Sequence, residues 1–82
     1  MNQAETFVGV DVSQARMDMA VIPSQESCSY PNDPAGITAL VGRLRAIAPN
    51  LVVAEASGGF EASLVAALVD ADRPVAAAAD HL

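Results

Sequence analysis

The stretch "NDPAGITALVGRLRAIAPNLVVAE", residues 32 to 55, limits the fold more tightly than any other part of the chain. Asp33 followed by Pro34 marks a helix start. The carboxylate can accept a free backbone N–H of the first turn, and proline's fixed φ suits the first helical position. Ile37, Leu40, Val41, Leu44 and Ile47 then recur at helical spacing as a single apolar stripe, and Pro49 closes the helix. Immediately afterwards Leu51, Val52 and Val53 begin a short run that reads as a strand ending at Glu55. Upstream, "TFVGVDV" (6 to 12) reads as a strand and "SQAR" as a polar turn. "MDMAVI" (17 to 22) is a second strand antiparallel to the first, and residues 26 to 31 form a weaker third strand at an edge. A helix that returns the chain to the same sheet makes the next strand parallel to its neighbour, by a right-handed crossover. Short connections place that fourth strand beside the first. A second helix follows, with Phe60, Leu64, Ala67, Leu68 and Ala71 on one face, and "RPVAAAA" (73 to 79) is a fifth strand that alanine favours only weakly. The expectation is an α/β fold, a mixed sheet in the order 3-2-1-4-5 with two helices packed against it.

This arrangement gives two acids a shared address. Asp11 lies near the carboxyl end of the first strand and Glu55 ends the fourth. Parallel neighbours run roughly 5 Å apart, so the two carboxylates repel unless a cation lies between them. A hard divalent ion such as Mg²⁺ takes carboxylate and water oxygens, and ligands of α/β sheets bind outside the carboxyl ends of strands. Taken singly, Asp11 reads equally well as a residue beside a hairpin turn, and Glu55 as a helix cap or a solvated strand end. Ser57, Gly58 and Gly59 follow Glu55 directly and leave room for a bulky substrate to approach. They also lead to a helix N-terminus whose free N–H groups suit a phosphate. Asp18 is expected to face solvent, and Glu61 to sit in the first turn of the second helix, where the dipole favours it. Cys28 is expected to be a small half-buried residue, and His81 part of a solvated end.

Charge narrows the partners. Ten acids against four arginines (Arg16, Arg43, Arg45, Arg73) and no lysine give a net charge of −6. A nucleic-acid interface normally carries a basic patch, so here bound metal ions or further protein would have to supply most of the cations. The single cysteine excludes an internal disulfide and fits a reducing, cytoplasmic setting. Neither a signal-like start nor an apolar run long enough for a membrane helix occurs.

Three blocks, "FVGVDVSQARMDMAVI", "NDPAGITALVGRL" and "PNLVVAEASGGFEASLVAALVDADRPVA", resemble the DEDD-type transposases of insertion sequences, family 110. The resemblance covers about residues 7 to 76. It is most specific in G-[VI]-D-V-S at 9 to 13, N-D-x-x-G-I at 32 to 37 and E-A-[ST]-G-G-[FY]-E at 55 to 61. It implies that residues 1 to 82 are the N-terminal portion of a ribonuclease-H-like (RuvC-like) domain, incomplete as it stands. In that family four acids hold two Mg²⁺ ions for phosphodiester chemistry on DNA, directed by an element-encoded guide RNA. Asp11 matches the first acid and Glu55 the second. The last two, and the downstream domain with its nucleophilic serine, have no counterpart in these 82 residues, and neither Ser13 nor Ser57 matches that serine. Gln14 stands where the family often has lysine, and "AAADHL" replaces the usual Asn-Pro turn.

Two other classes remain open on the residues alone. Actin-like sugar and acetate kinases share the fold and lead from an Asp into a phosphate-binding hairpin. Their turns are richer in Gly and Thr than "DVSQAR", and they are several times longer. A non-catalytic remnant or interaction module would expose sheet edges suited to self-association or to pairing with a full-length copy.

Overall fold

In the computed structural model, which describes residues 5–56, 60, 62–71 and 75–79, the chain forms a five-stranded mixed sheet. The elements run β1 (Phe7–Val12), β2 (Arg16–Ile22), β3 (Ser27–Pro31), α1 (Pro34–Ile47), β4 (Leu51–Ala56), α2 (Ala62–Asp70) and β5 (Val75–Ala79). The strand order is β3-β2-β1-β4-β5, as the element pattern predicts. β1 pairs antiparallel with β2 and parallel with β4; β2 pairs antiparallel with β3 and β4 parallel with β5.

Alternation along the strands sorts side chains onto two faces. Val8, Val10 and Val12 of β1, Met17, Met19 and Val21 of β2, and Val52, Ala54 and Ala56 of β4 are all buried. They form one cluster with Leu40, Val41 and Leu44 of α1 and Leu64 and Leu68 of α2, so both helices cover the same face. Each fully buried leucine contributes roughly 1.5–3 kcal/mol, and this cluster is what holds so short a chain together.

Local chemistry sets the helix ends. The Asp33 carboxylate accepts the Gly36 N–H at 2.7 Å, and Pro34 occupies the first turn. Gly36 is required by a close approach: a Cβ there would lie 1.8 Å from the Pro31 carbonyl oxygen, so the end of β3 presses directly on the first turn. α1 stops where Ala48 adopts the left-handed conformation (φ 52°) and donates its N–H to the Leu44 carbonyl. Arg45 in the last turn complements the negative end of the helix dipole.

Two details correct the sequence expectations. Phe60 precedes α2 and is 42% exposed instead of packing on the helix's buried face. The residues that do pack are Leu64 and Leu68, supported by Val65, Ala67 and Ala71, one turn apart on the sheet side. Cys28 is exposed, because edge strand β3 extends beyond full helix cover, where Tyr30 is only half-buried. The expectations for Ser57, Gly58, Gly59, Glu61 and His81 lie outside the described residues.

Candidate metal-binding site at the strand ends

The parallel register of β1 and β4 is set at its start by Asn50. Its backbone N–H donates to the Thr6 carbonyl at 2.7 Å, and its side-chain oxygen accepts the Thr6 N–H at 2.8 Å. The register set by these two hydrogen bonds, between residues 44 apart in sequence, is carried through the ladder: Phe7 pairs with Leu51, Gly9 with Val53 and Asp11 with Glu55. The two acids singled out in the sequence are therefore cross-strand partners at the carboxyl ends of adjacent parallel strands. Both side chains are exposed on the face the helices leave bare. Among the described residues, neither carboxylate takes part in a hydrogen bond or ion pair.

The β1–β2 hairpin extends this pair into a row. Asp18 lies directly across from Asp11 on the other side of β1, so Asp18, Asp11 and Glu55 cross three strands side by side. Asp18 faces solvent, as its place on the strand predicts, with its side chain 42% exposed. There it is also a partnered carboxylate, accepting the Ser29 hydroxyl at 2.5 Å on one oxygen and Arg16 Nε at 3.2 Å on the other. The Ser29 hydrogen bond holds the Asp18 carboxyl below its usual range; loss of hydration opposes it, and the nearby Arg16 charge and hydrogen bond add to the lowering. These three acids line a shallow depression of about 360 Å³ with Gly9, Ala20 and Ser27. A Cβ on Gly9 would meet nothing within 4 Å, so the fold itself does not demand a glycine there. What its absence of side chain provides is open floor beside Asp11.

The turn at the end of β1 is held from a distance. Ser13 Oγ donates to the Arg16 carbonyl at 3.0 Å and accepts the Arg16 N–H at 3.2 Å. Asn32, just ahead of the α1 cap, donates its side-chain amide to the Ser13 carbonyl at 2.8 Å, and its backbone N–H to the Ala15 carbonyl at 3.0 Å. Its amide also reaches the Phe60 carbonyl at 3.5 Å, the limit for such a bond. Asn32 thus ties the turn following β1 to the start of α1. The sequence marks Asn32 as part of a motif but not its partners, since helical and strand periodicity carry no information on a contact across 19 residues.

The donor chemistry suits a hard cation. Mg²⁺ is commonly held by one or two carboxylates together with waters and substrate phosphates, and Asp11 and Glu55 offer that pair. Among the described residues no group of three His, Cys, Asp or Glu converges on one point. The reason is geometric: a row across three strands spans roughly 10 Å, too wide for one ion, and both Asp18 oxygens are already engaged. Asp11 and Glu55 are the residues that could hold a metal.

No family model matches this chain, and no curated protein matches it. Among solved structures, the chain is similar to T. thermophilus RuvC in complex with Holliday junction substrate, with a TM-score of 0.66 and 14% sequence identity. The match covers 93% of this chain and 65% of that one, so the chain spans about two-thirds of its neighbour's length. The fold is thus of the RuvC, ribonuclease-H-like type, as the sequence resemblance implies. No helix among the described residues is long and apolar enough to cross a membrane.

Proposed function

We propose that this chain is the first part of the catalytic domain of a DEDD-type insertion-sequence transposase, with Asp11 and Glu55 as two of the acids that hold Mg²⁺ for phosphodiester chemistry on DNA. The observation that carries this reading is the register pairing of Asp11 with Glu55 at the carboxyl ends of β1 and β4. The RuvC likeness supports the nuclease-type part of the reading, and that neighbour was captured with a DNA junction. The narrower assignment to a transposase rests on the three motif blocks, and with it come the guide RNA and the second metal ion as proposed partners.

Bound at Asp11 and Glu55, Mg²⁺ would supply a Lewis acid for a phosphoryl oxygen and offset the charge that develops there. The two carboxylates fix its position and take no part as nucleophiles. Gly9 leaves the approach on the bare face unobstructed, and the small residues Ser57, Gly58 and Gly59 are proposed to do the same beyond β4. Since these residues carry two of the four acids the resemblance implies, the chain alone is expected to bind divalent metal but not to cleave DNA.

Isothermal titration with Mg²⁺ or Mn²⁺ tests the assignment. Binding by the wild type that is lost in both Asp11→Ala and Glu55→Ala supports it. Equal binding by all three proteins would overturn it.

A further inference from the structure

The bare face presents three carboxylates in a row to a proposed polyanionic substrate, which raises the question of what attracts that substrate. Of the four arginines, Arg43 and Arg45 lie on α1, which covers the opposite face, and Arg43 is paired with Glu26. Arg73 lies outside the described residues. Among the described residues, Arg16 is the one cation on the acidic face. It begins β2, two residues from Asp18 on the same side of the strand, at the end of the sheet where β1 and β4 finish.

The placement of Arg16 is closely specified. Ser13 Oγ grips its backbone at both the N–H and the carbonyl. Asp18 takes its Nε, and Ser29 fixes the Asp18 carboxylate by occupying the other oxygen. Asp18 engages Nε alone, and the two terminal nitrogens make no hydrogen bond to the described residues. The side chain stays 67% exposed. A planar fork with free terminal N–H groups matches the paired oxygens of a phosphate.

Resting on the metal-site reading above, we propose that Arg16, aimed by Asp18, is the phosphate contact of this site: it binds a non-bridging oxygen of the phosphodiester strand that reaches the ion at Asp11 and Glu55. Asp18 then has a purpose distinct from that of its two neighbours. It spends its charge on orienting the cation, and so the row contains one arginine-bound carboxylate next to two available ones. The site joins a metal clamp on β1 and β4 to a cationic clamp on β2, with the β1–β2 turn holding the two at a fixed separation.

The test is fluorescence anisotropy of a labelled single-stranded oligonucleotide titrated with the full chain, in Ca²⁺ and in EDTA, over a series of salt concentrations. The variants are Arg16→Gln, Arg16→Lys and Asp11→Asn. Arg16→Gln is expected to weaken Ca²⁺-dependent binding about tenfold, and to reduce the slope of log K against log salt by about one, since one phosphate contact is removed. Arg16→Lys keeps the charge and is expected to retain the slope with an intermediate affinity, because the fork is lost. A thermal melt of each variant checks that the sheet is intact. Unchanged affinity and slope in a folded Arg16→Gln, with wild-type binding still dependent on Ca²⁺ and on Asp11, would overturn this inference alone. Binding indifferent to Ca²⁺ and to Asp11→Asn, or absent from the wild type, would overturn the metal-site reading and this inference with it.

Discussion

On one face of the sheet, Val8, Val10, Met19 and Val52 lie under Leu40, Leu44, Leu64 and Leu68, all almost fully removed from solvent. On the other face, the same strands present Phe7, Gly9 and Asp11, then Asp18, Ala20 and Ile22, then Leu51, Val53 and Glu55, with no helix above them among the described residues. The two sets are interleaved residue by residue, so a one-residue slip of any strand would exchange them. The covered face makes the register unambiguous; the bare face uses that register to bring Asp11 opposite both Glu55 and Asp18. The placement of the acids on one side thus depends on packing on the other, and substitutions on the two sides should differ in kind.

The largest effect belongs to the covered face. Leu44→Ala, which leaves a cavity at a fully buried position, is expected to cost about 2–5 kcal/mol in urea denaturation. That is a large share of the roughly 5–15 kcal/mol available to a domain. Next is Gly36→Ala at the junction of β3 and α1. The added methyl meets the Pro31 backbone instead of a yielding side chain, so a loss of about 1–3 kcal/mol is expected. Asp33→Ala removes the α1 cap and should lower stability by about 1 kcal/mol, with the greatest loss of hydrogen-exchange protection in the first turn of the helix.

The bare face should respond with the opposite sign. In metal-free buffer, Asp11→Asn relieves repulsion from cross-strand acids on both sides and should raise stability by about 0.5 kcal/mol. A loss of several kcal/mol there would show that the bare face carries the fold as well, and would erase the contrast. The smallest effect concerns Asp18, whose pKa is lowered in the folded state. A carboxyl with a depressed folded pKa contributes stability that is present above its unfolded pKa, near 3.8, and lost as pH falls through the folded value. Asp18→Asn should therefore flatten the stability profile slightly below about pH 4 and leave its shape near neutrality unchanged.

Much of this was legible in the sequence, for a physical reason. The Asp33–Pro34 start and Pro49 stop bound one helix without ambiguity, and a bounded helix between strands fixes the parallel neighbour through the crossover rule. Once β4 lies beside β1, the pairing of Asp11 with Glu55 needs only the register, and Asn50 supplies it. Asp18 is legible only in part. Period-two alternation turns it away from the core to solvent, where it lies, but says nothing of the Ser29 and Arg16 partners it finds there. Its position opposite Asp11 follows from the length of the hairpin turn, and its partner Ser29 from the pairing of an edge strand with weak sequence signals. Phe60 departs from expectation because an aromatic residue at helical spacing reads as part of the buried stripe even where the helix begins two residues later. The contacts of Asn32 with Ser13 and Ala15 are set by the folded chain and leave no periodic trace.

The central claim, that the bare face holds a divalent ion between Asp11 and Glu55, is tested most directly by paramagnetic broadening of the backbone amide spectrum with substoichiometric Mn²⁺. The account predicts selective loss of signal centred on Asp11 and Glu55, weaker broadening at Asp18 and Gly9, and intact signals in α1, with the pattern abolished in Asp11→Asn/Glu55→Gln. Broadening centred on other acids, or a pattern that survives the double substitution, would contradict it.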